Sequence, residues 1–128
     1  MRLLYVDDDR INALLFRETC RLAPALEVQT AGSGAEALEV APRWQPQVLV
    51  IDLHLPDTDG CALLPRLRHA LAAPALPAFL CTADDPGSVA PAARAAGFAA
   101  CWPKPVVLHD MLQDMQHALA AQPSAPAP

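Results

Sequence analysis

The chain has 128 residues, of which 53% are hydrophobic, and its formal net charge is −5. This length fits one domain, and the apolar content argues against a disordered chain. The negative charge and the lack of a Lys/Arg cluster argue against direct nucleic-acid binding, and no apolar run approaches the roughly 20 residues that a bilayer-spanning helix needs. We expect a cytoplasmic protein without membrane contact, because Asp7–Asp9 interrupt the first apolar run too early for a signal peptide.

Five short runs predict β-strands. The third is apolar at every position, which is typical of a strand buried on both faces, whereas the second alternates between apolar and polar residues. In chain order, the predicted strands are residues 3–6, 26–30, 48–51, 78–81 and 98–102.

A predicted helix follows each strand. The first and last helices carry apolar residues at helical spacing, whereas the fourth is rich in alanine and contains a proline. In chain order, the predicted helices are residues 10–22, 33–41, 63–71, 88–96 and 106–121. The remaining residues, 122–128 (QPSAPAP), cannot build a core, so we expect a disordered Pro/Ala-rich tail or linker after a domain of residues 1–121.

Single residues mark several expected helix ends. Ser33 and Glu36 form a capping box that opens the second helix, and Pro42 is expected to end it. Pro65 should kink the third helix or confine it to a loose first turn. Gly97 is a plausible stop for the fourth helix.

Strands and helices that alternate in this way predict an α/β fold with a five-stranded parallel sheet and helices on both faces. Right-handed crossovers then place the carboxyl ends of all strands at one edge of the sheet. In open α/β sheets that edge is where ligands bind.

Charged and hydroxyl side chains stand at four of the predicted strand ends: Asp7–Asp9, Asp52, Thr82 and Lys104. Carboxylates about 4 Å apart repel by about 4 kcal/mol per pair at an effective dielectric constant near 20, so a cation is expected among them. Mg²⁺ prefers oxygen ligands and is usually held by one or two carboxylates and a phosphate. A carboxylate beside Mg²⁺, a lysine and a hydroxyl is well suited to accept a phosphoryl group.

The sequence resembles the receiver domain of two-component response regulators over about residues 1–121. The resemblance rests on LLYVDDD, DLHLPDTDG, CTAD and the Lys104-Pro105 pair, four segments that occur in this order, each at a predicted strand end. It implies a flavodoxin-like (βα)5 fold with the strand order 2-1-3-4-5.

The resemblance also implies a magnesium site. Asp7 and Asp8 would hold the ion, with Asp8 the more direct ligand and Asp7 acting partly through water. Asp52 and the backbone carbonyl of His54 would complete the set of protein ligands.

For the phosphoryl group, the resemblance implies that Asp52 is the acceptor, that Thr82 bonds to the transferred group and that Lys104 pairs with it. Ala83 would leave the approach open, and the Lys104-Pro105 bond would be cis.

The function implied is a phosphorylation-dependent switch rather than an enzyme, although the domain would assist its own phosphorylation and dephosphorylation. The donor would be a sensor histidine kinase or a histidine phosphotransfer domain. The signal would pass through the fourth helix, fifth strand and fifth helix to a downstream effector, or to a second copy of the domain in a phosphorylation-dependent dimer.

The cysteines raise two questions. Many receivers carry Tyr or Phe three residues before the lysine, whereas this chain has Cys101 there, so the usual aromatic switch is in question. Cys81 and Cys101 lie on predicted neighbouring strands, which leaves a redox link open, although cytosolic thiols are normally reduced. No Cys pair has the CxxC spacing of zinc or thioredoxin-type sites, and burial as small apolar side chains is the simpler interpretation for all four.

The other polar residues have simpler interpretations. Asp9 is expected to cap the first helix and Asp59 to open the third. His54 either sits over the phosphoryl group and tunes its hydrolysis or is an exposed loop residue. Asp84 and Asp85 are expected in a loop or a cap, with Asp84 near enough to affect water access.

Three alternatives stay open. The chain could be a flavodoxin-like domain with acidic loops and no phosphotransfer, or a pseudo-receiver used only for protein binding. It could also be a hydrolase of the haloacid-dehalogenase type with Asp7 and Asp9 as its D-x-D pair, although that scheme leaves Asp52 unexplained and the chain has no room for a cap domain.

Overall fold

The computed structural model describes residues 1–121; the predicted tail or linker at 122–128 lies outside the described residues. Within residues 1–121, five strands alternate with five helices. The strands are β1 (Arg2–Val6), β2 (Glu27–Ala31), β3 (Val48–Asp52), β4 (Ala78–Thr82) and β5 (Ala100–Pro103). The helices are α1 (Arg10–Cys20), α2 (Gly34–Trp44), α3 (Gly60–Ala70), α4 (Pro86–Ala96) and α5 (Leu108–Ala120).

The strands form one sheet in the order β2-β1-β3-β4-β5, and every neighbouring pair is parallel. The predicted fold class and strand order are therefore confirmed. At the carboxyl edge, Asp52 of β3 lies beside Cys81 of β4, and Thr82 lies beside Pro103 of β5.

Each face of the sheet has its own apolar core, because successive side chains of a strand point to opposite faces. One core lies under α2, α3 and α4 and contains Leu4, Leu49 and Leu80. The other lies under α1 and α5 and contains Tyr5 and Phe79. The central strand β3 is buried at all of its positions, as its apolar sequence predicts.

Prolines limit the helices less than expected. The prediction that α2 ends before Pro42 was wrong, since the helix continues through it to Trp44. α3 likewise runs unbroken from Gly60 to Ala70 with Pro65 inside. In α3, buried leucines lie on both sides of Pro65, and in α2 the partly buried Trp44 packs against the core after Pro42. This packing outweighs the loss of one backbone hydrogen bond.

α4 begins two residues earlier than predicted, at Pro86. Proline is favoured in the first turn of a helix, where its missing N–H would have no partner within the helix. Asp85 caps this end by accepting the backbone N–H of Gly87 at 3.2 Å. Gly97 ends the helix with φ 105°, a left-handed conformation that glycine adopts without strain.

The apolar stripe of α1 faces outward. Its members with the predicted helical spacing are 50–78% exposed: Ile11, Leu14, Leu15 and, just past the helix, Leu22. The residues that α1 buries are Phe16 and Cys20. No helix within residues 1–121 combines the length and the hydropathy needed to cross a bilayer.

Candidate functional site

Three aspartates meet at the carboxyl edge of the sheet. Asp7 and Asp8 follow β1 and Asp52 ends β3, and one carboxylate oxygen from each lies within 4.8 Å of the other two. Asp7 and Asp52 are buried, at 3% and 5% exposure, whereas Asp8 is exposed. The predicted cluster of acidic residues therefore forms, with Asp7 and Asp52 enclosed by protein and Asp8 open to solvent.

The alternation of the strands accounts for this meeting. Asp7 continues the row of β1 side chains that includes Tyr5, and Asp52 continues the row of β3 that includes Val50. Tyr5 and Val50 belong to the core under α1 and α5. Both carboxylates therefore extend from the same face of the sheet.

Lys104 supplies the positive charge of the site. Its Nζ donates to Asp7 Oδ2 at 2.8 Å and lies 3.1 Å from Asp52 Oδ2. The lysine side chain is 11% exposed, and those of the two aspartates are 0% and 8% exposed. One ammonium thus joins two buried carboxylates that would otherwise repel each other.

Burial shifts the proton equilibria of this group. Burial raises the pKa of the Asp52 carboxyl above its ordinary value, against the opposing effect of the Lys104 ammonium. For Lys104, burial alone would lower the pKa, but its hydrogen bonds to Asp7 and Asp52 outweigh burial and raise it. The lysine therefore stays a cation at neutral pH.

The donor set fits a magnesium ion. Mg²⁺ binds hard oxygen ligands at about 2.1 Å in an octahedron, so that two ligand oxygens on opposite sides lie about 4 Å apart. The oxygens of Asp7, Asp8 and Asp52 lie within 4.8 Å of one another, a separation close to that of ligand oxygens around one ion. The exposure of Asp8 leaves that side open to the water ligands that Mg²⁺ usually keeps.

The loop after β3 is folded tightly over the acceptor strand. The backbone N–H of Gly60 donates to Leu53 O at 2.8 Å. A Cβ at position 60 would lie only 2.5 Å from the carbonyl oxygen of Asp52. Glycine at this position is what lets the start of α3 approach the backbone of Asp52 so closely.

Thr82 ends β4 beside the acidic cluster. Its side chain is fully buried, and Oγ1 accepts the backbone N–H of Asp84 at 3.0 Å. The carbonyl of Thr82 accepts the backbone N–H of Lys104 at 3.0 Å. The threonine and the lysine are therefore linked through the backbone, and the Lys104-Pro105 bond is cis, as predicted.

The His54 side chain is largely exposed and pairs with Asp84, outside the acidic cluster. Its Nε2 lies 2.8 Å from Asp84 Oδ2, and the two side chains are 71% and 52% exposed. The hydrogen bond to Asp84 raises the pKa of the His54 imidazole. This pair connects the loop after β3 to the loop after β4.

The remaining acidic residues of the loops cap helices. Asp9, Asp59 and Asp85 cap α1, α3 and α4, as their positions predict. Asp57 has a role that sequence reasoning missed, since its two carboxylate oxygens accept the N–H groups of Gly34 and Ala35 at 2.9 Å. It thereby ties the loop after β3 to the first turn of α2, a contact between residues 22 or 23 positions apart.

Tyr5 is a second site residue that the sequence did not identify. It is 2% exposed, stacks on Phe16 with ring centroids 4.1 Å apart, and its hydroxyl donates to Asp7 Oδ2 at 2.8 Å. Burial raises the pKa of this hydroxyl, so it keeps its proton and acts as a donor. The two-residue period of β1, which places Tyr5 and Asp7 on one face, was the available signal.

The cysteines do not form the suggested pair. Cys81 belongs to the core under α1 and α5, whereas Cys101 packs against the opposite core. Leu80 is the residue of β4 that lies beside Cys101 in register. A link between Cys81 and Cys101 is thus excluded by the sheet lying between them, and all four cysteines are free thiols.

Comparison with known proteins points to one family. The sequence model described as the response regulator receiver domain matches residues 3–116. The response regulator MprA of Mycobacterium leprae (strain TN) is 36% identical over 115 residues, which are 88% of this chain and 48% of that protein. The chain therefore spans about half the length of the curated relatives it matches.

Solved structures share the fold. A Chloroflexus aurantiacus J-10-fl protein assigned as a response regulator has 33% sequence identity and a TM-score of 0.83, with 93% of this chain and 97% of that chain covered. The chemotaxis response regulator CheY4 of Vibrio cholerae has a TM-score of 0.76 at 24% identity, with 91% and 97% covered, and supports the fold alone. By its match over residues 3–116, the chain belongs to the receiver domain family of response regulators.

Proposed function

We propose that the protein is a signalling switch that accepts one phosphoryl group on Asp52 with the help of Mg²⁺. Membership of the receiver family implies phosphorylation-based signalling. The observation that carries the assignment to Asp52 is the placement of this buried carboxylate within reach of Lys104 Nζ, at 3.1 Å, and of the other two aspartates.

In the proposed reaction, a carboxylate oxygen of Asp52 attacks the phosphorus of the donor. The bond from phosphorus to the leaving nitrogen or oxygen breaks, and the leaving group keeps the electron pair. Bound Mg²⁺ would stabilise the negative charge on the transferring oxygens. Asp7, Asp8 and the His54 carbonyl would hold the ion, Lys104 would pair with the phosphoryl group, and Thr82 would bond to it.

The domain is proposed to consist of residues 1–121, with 122–128 as a tail or linker. A sensor histidine kinase or a histidine phosphotransfer domain would be the donor. The output surface is proposed to include α4, β5 and α5, read by an effector or by a second copy. Among the α4 residues whose burial is described, Ala93 alone is buried, so this helix is weakly held and suited to shift with the phosphoryl group.

Incubation with acetyl phosphate and Mg²⁺ tests the assignment. We expect one phosphoryl group per chain, which is then lost slowly, with acetate released in equal amount at first. Continuous turnover with the label on Asp7 would indicate the hydrolase alternative, and the absence of both labelling and turnover would indicate a pseudo-receiver. Asp110→Asn is a matched control, because Asp110 is an exposed aspartate of α5, outside the acidic cluster.

A further inference from the structure

The Asp7 carboxylate accepts three hydrogen bonds. Its Oδ1 accepts the backbone N–H of Asp9 at 3.0 Å, while its Oδ2 accepts both the Tyr5 hydroxyl and the Lys104 ammonium at 2.8 Å. Cys81 Sγ in turn lies 3.9 Å from the Tyr5 hydroxyl. A chain of polar contacts therefore runs from β4 through β1 to Lys104 and Asp52.

Phosphorylation would upset the Lys104 end of this chain. Once an oxygen of Asp52 carries a phosphoryl group, the carboxylate loses its charge, and the ammonium is drawn toward the phosphoryl oxygens. Asp7 Oδ2 would then lose one of its hydrogen-bond donors, although the Asp7 side chain has no exposure to solvent. An unpaired buried carboxylate oxygen is costly, so the move of the lysine would be opposed unless a second donor remained.

We propose that Tyr5 is a positioning residue of the phosphotransfer site, whose hydroxyl holds Asp7 Oδ2 so that Lys104 can move from the two carboxylates to the phosphoryl group. The proposal rests on the proposed function. Tyr5 is placed for this role because its ring is fixed by stacking on Phe16, with an interplanar angle of 5°. The hydroxyl therefore stays at Asp7 whichever way the lysine points.

The composition of the chain makes the contact observable. Tyr5 is the single tyrosine and Lys104 the single lysine of the sequence, so tyrosine labelled with ¹³C at Cζ gives one NMR signal. In metal-free protein, Lys104→Ala removes the cation from Asp7 Oδ2, and the Tyr5 hydroxyl should bond to it more strongly and shift that signal. In protein already saturated with Mg²⁺, adding beryllofluoride should shift the wild-type signal in the same direction, because it draws Lys104 away from Asp7.

The kinetic test uses Tyr5→Phe, which removes the hydroxyl and keeps the ring. We expect labelling by saturating acetyl phosphate to slow about tenfold, the effect of losing one hydrogen bond to a charged group. Cys20→Ala is the matched control: Cys20 is buried in the same core as Tyr5, so its truncation should lower stability while changing the labelling rate less than about twofold.

The outcomes separate the two proposals. If wild-type protein is not labelled, the proposed function fails, whereas the metal-free signal still tests the contact between Tyr5, Asp7 and Lys104. If wild-type protein is labelled and Tyr5→Phe is labelled at the same rate, the positioning role is wrong. A tyrosine signal that neither Lys104→Ala nor beryllofluoride moves would overturn it as well.

Discussion

Lys104 Nζ lies 2.8 Å from Asp7 Oδ2, although 97 residues separate the two along the chain. The contact depends on the whole parallel sheet, because Asp7 follows β1 and Lys104 follows β5, with β3 and β4 between them. It places the single lysine of the chain against two carboxylates of the acidic cluster, where its removal has predictable consequences.

Lys104→Ala should lower the free energy of unfolding of metal-free protein by about 3 kcal/mol, because it leaves two buried carboxylates without their cation. Saturating Mg²⁺ should restore part of this loss. Urea denaturation measures both values. Arg43→Ala is the control, since Arg43 pairs with Glu39 where both side chains are 70% exposed, and it should cost less than about 1 kcal/mol. Equal stability of Lys104→Ala and wild type would contradict the buried ion pair.

Asp8→Asn should abolish most of the stabilisation by Mg²⁺ without harming the metal-free fold. A ligand at 100 times its Kd stabilises a native protein by about 2.7 kcal/mol, and we expect wild type to show this gain. Asp8 is exposed, and its charge adjoins two other carboxylates, so the metal-free variant should be at least as stable as wild type. Thermal unfolding with and without Mg²⁺ makes the comparison, with Asp110→Asn expected to keep the full gain. An undiminished gain in Asp8→Asn would exclude Asp8 as a ligand.

Beryllofluoride with Mg²⁺ should change amide hydrogen exchange in residues 84–104 more than in α2. α4 carries Pro86, Gly87 and Pro91 within its eleven residues, and weakly held elements respond most to a local change. α2 serves as the internal reference, because it buries Gly34, Ala37 and Ala41. Identical exchange across 84–104 with and without the ligand would refute the proposed output surface.

Cys20 should make stability fall at alkaline pH. Burial raises the pKa of this thiol from 9.0 to about 11. The folded state therefore favours the neutral thiol, and this contribution is fully present below pH 9 and is lost as the pH rises toward 11. The difference in unfolding free energy between wild type and Cys20→Ala should shrink over this interval by at most about 2.7 kcal/mol. Urea denaturation at several pH values measures it, and a difference that stays constant would show that Cys20 does not titrate as a buried thiol.

The fold was predictable because local and global signals agree. The runs at 48–51 and 78–81 are apolar at nearly every position, which is typical of central parallel strands, and the cap residues Asp9 and Asp59 mark helix starts through purely local hydrogen bonds. Helix ends were less predictable. Pro42 breaks a helix by local rules, yet α2 passes through it because tertiary packing supplies more free energy than one hydrogen bond removes.

Within the site, the residues that follow strands were predictable, whereas their partners were not. Strand ends converge in any parallel sheet, so Asp7, Asp52 and Lys104 could be expected near one another. The bond from Asp57 to the first turn of α2 depends on the path of two loops, which no local pattern encodes. The outward direction of the apolar stripe on α1 was not predictable either. Periodicity shows that an apolar face exists but not whether it faces the core or the solvent.

The most direct measurement is a map of the phosphorylated residue. Wild-type protein is treated with acetyl phosphate and Mg²⁺, reduced with borohydride to mark the acyl phosphate, and digested for mass spectrometry. We expect the mark on Asp52 and no mark in Asp52→Asn, whose fold should otherwise be retained. A mark on Asp7, or normal labelling of Asp52→Asn, would contradict the assignment of the phosphoryl group to the end of β3.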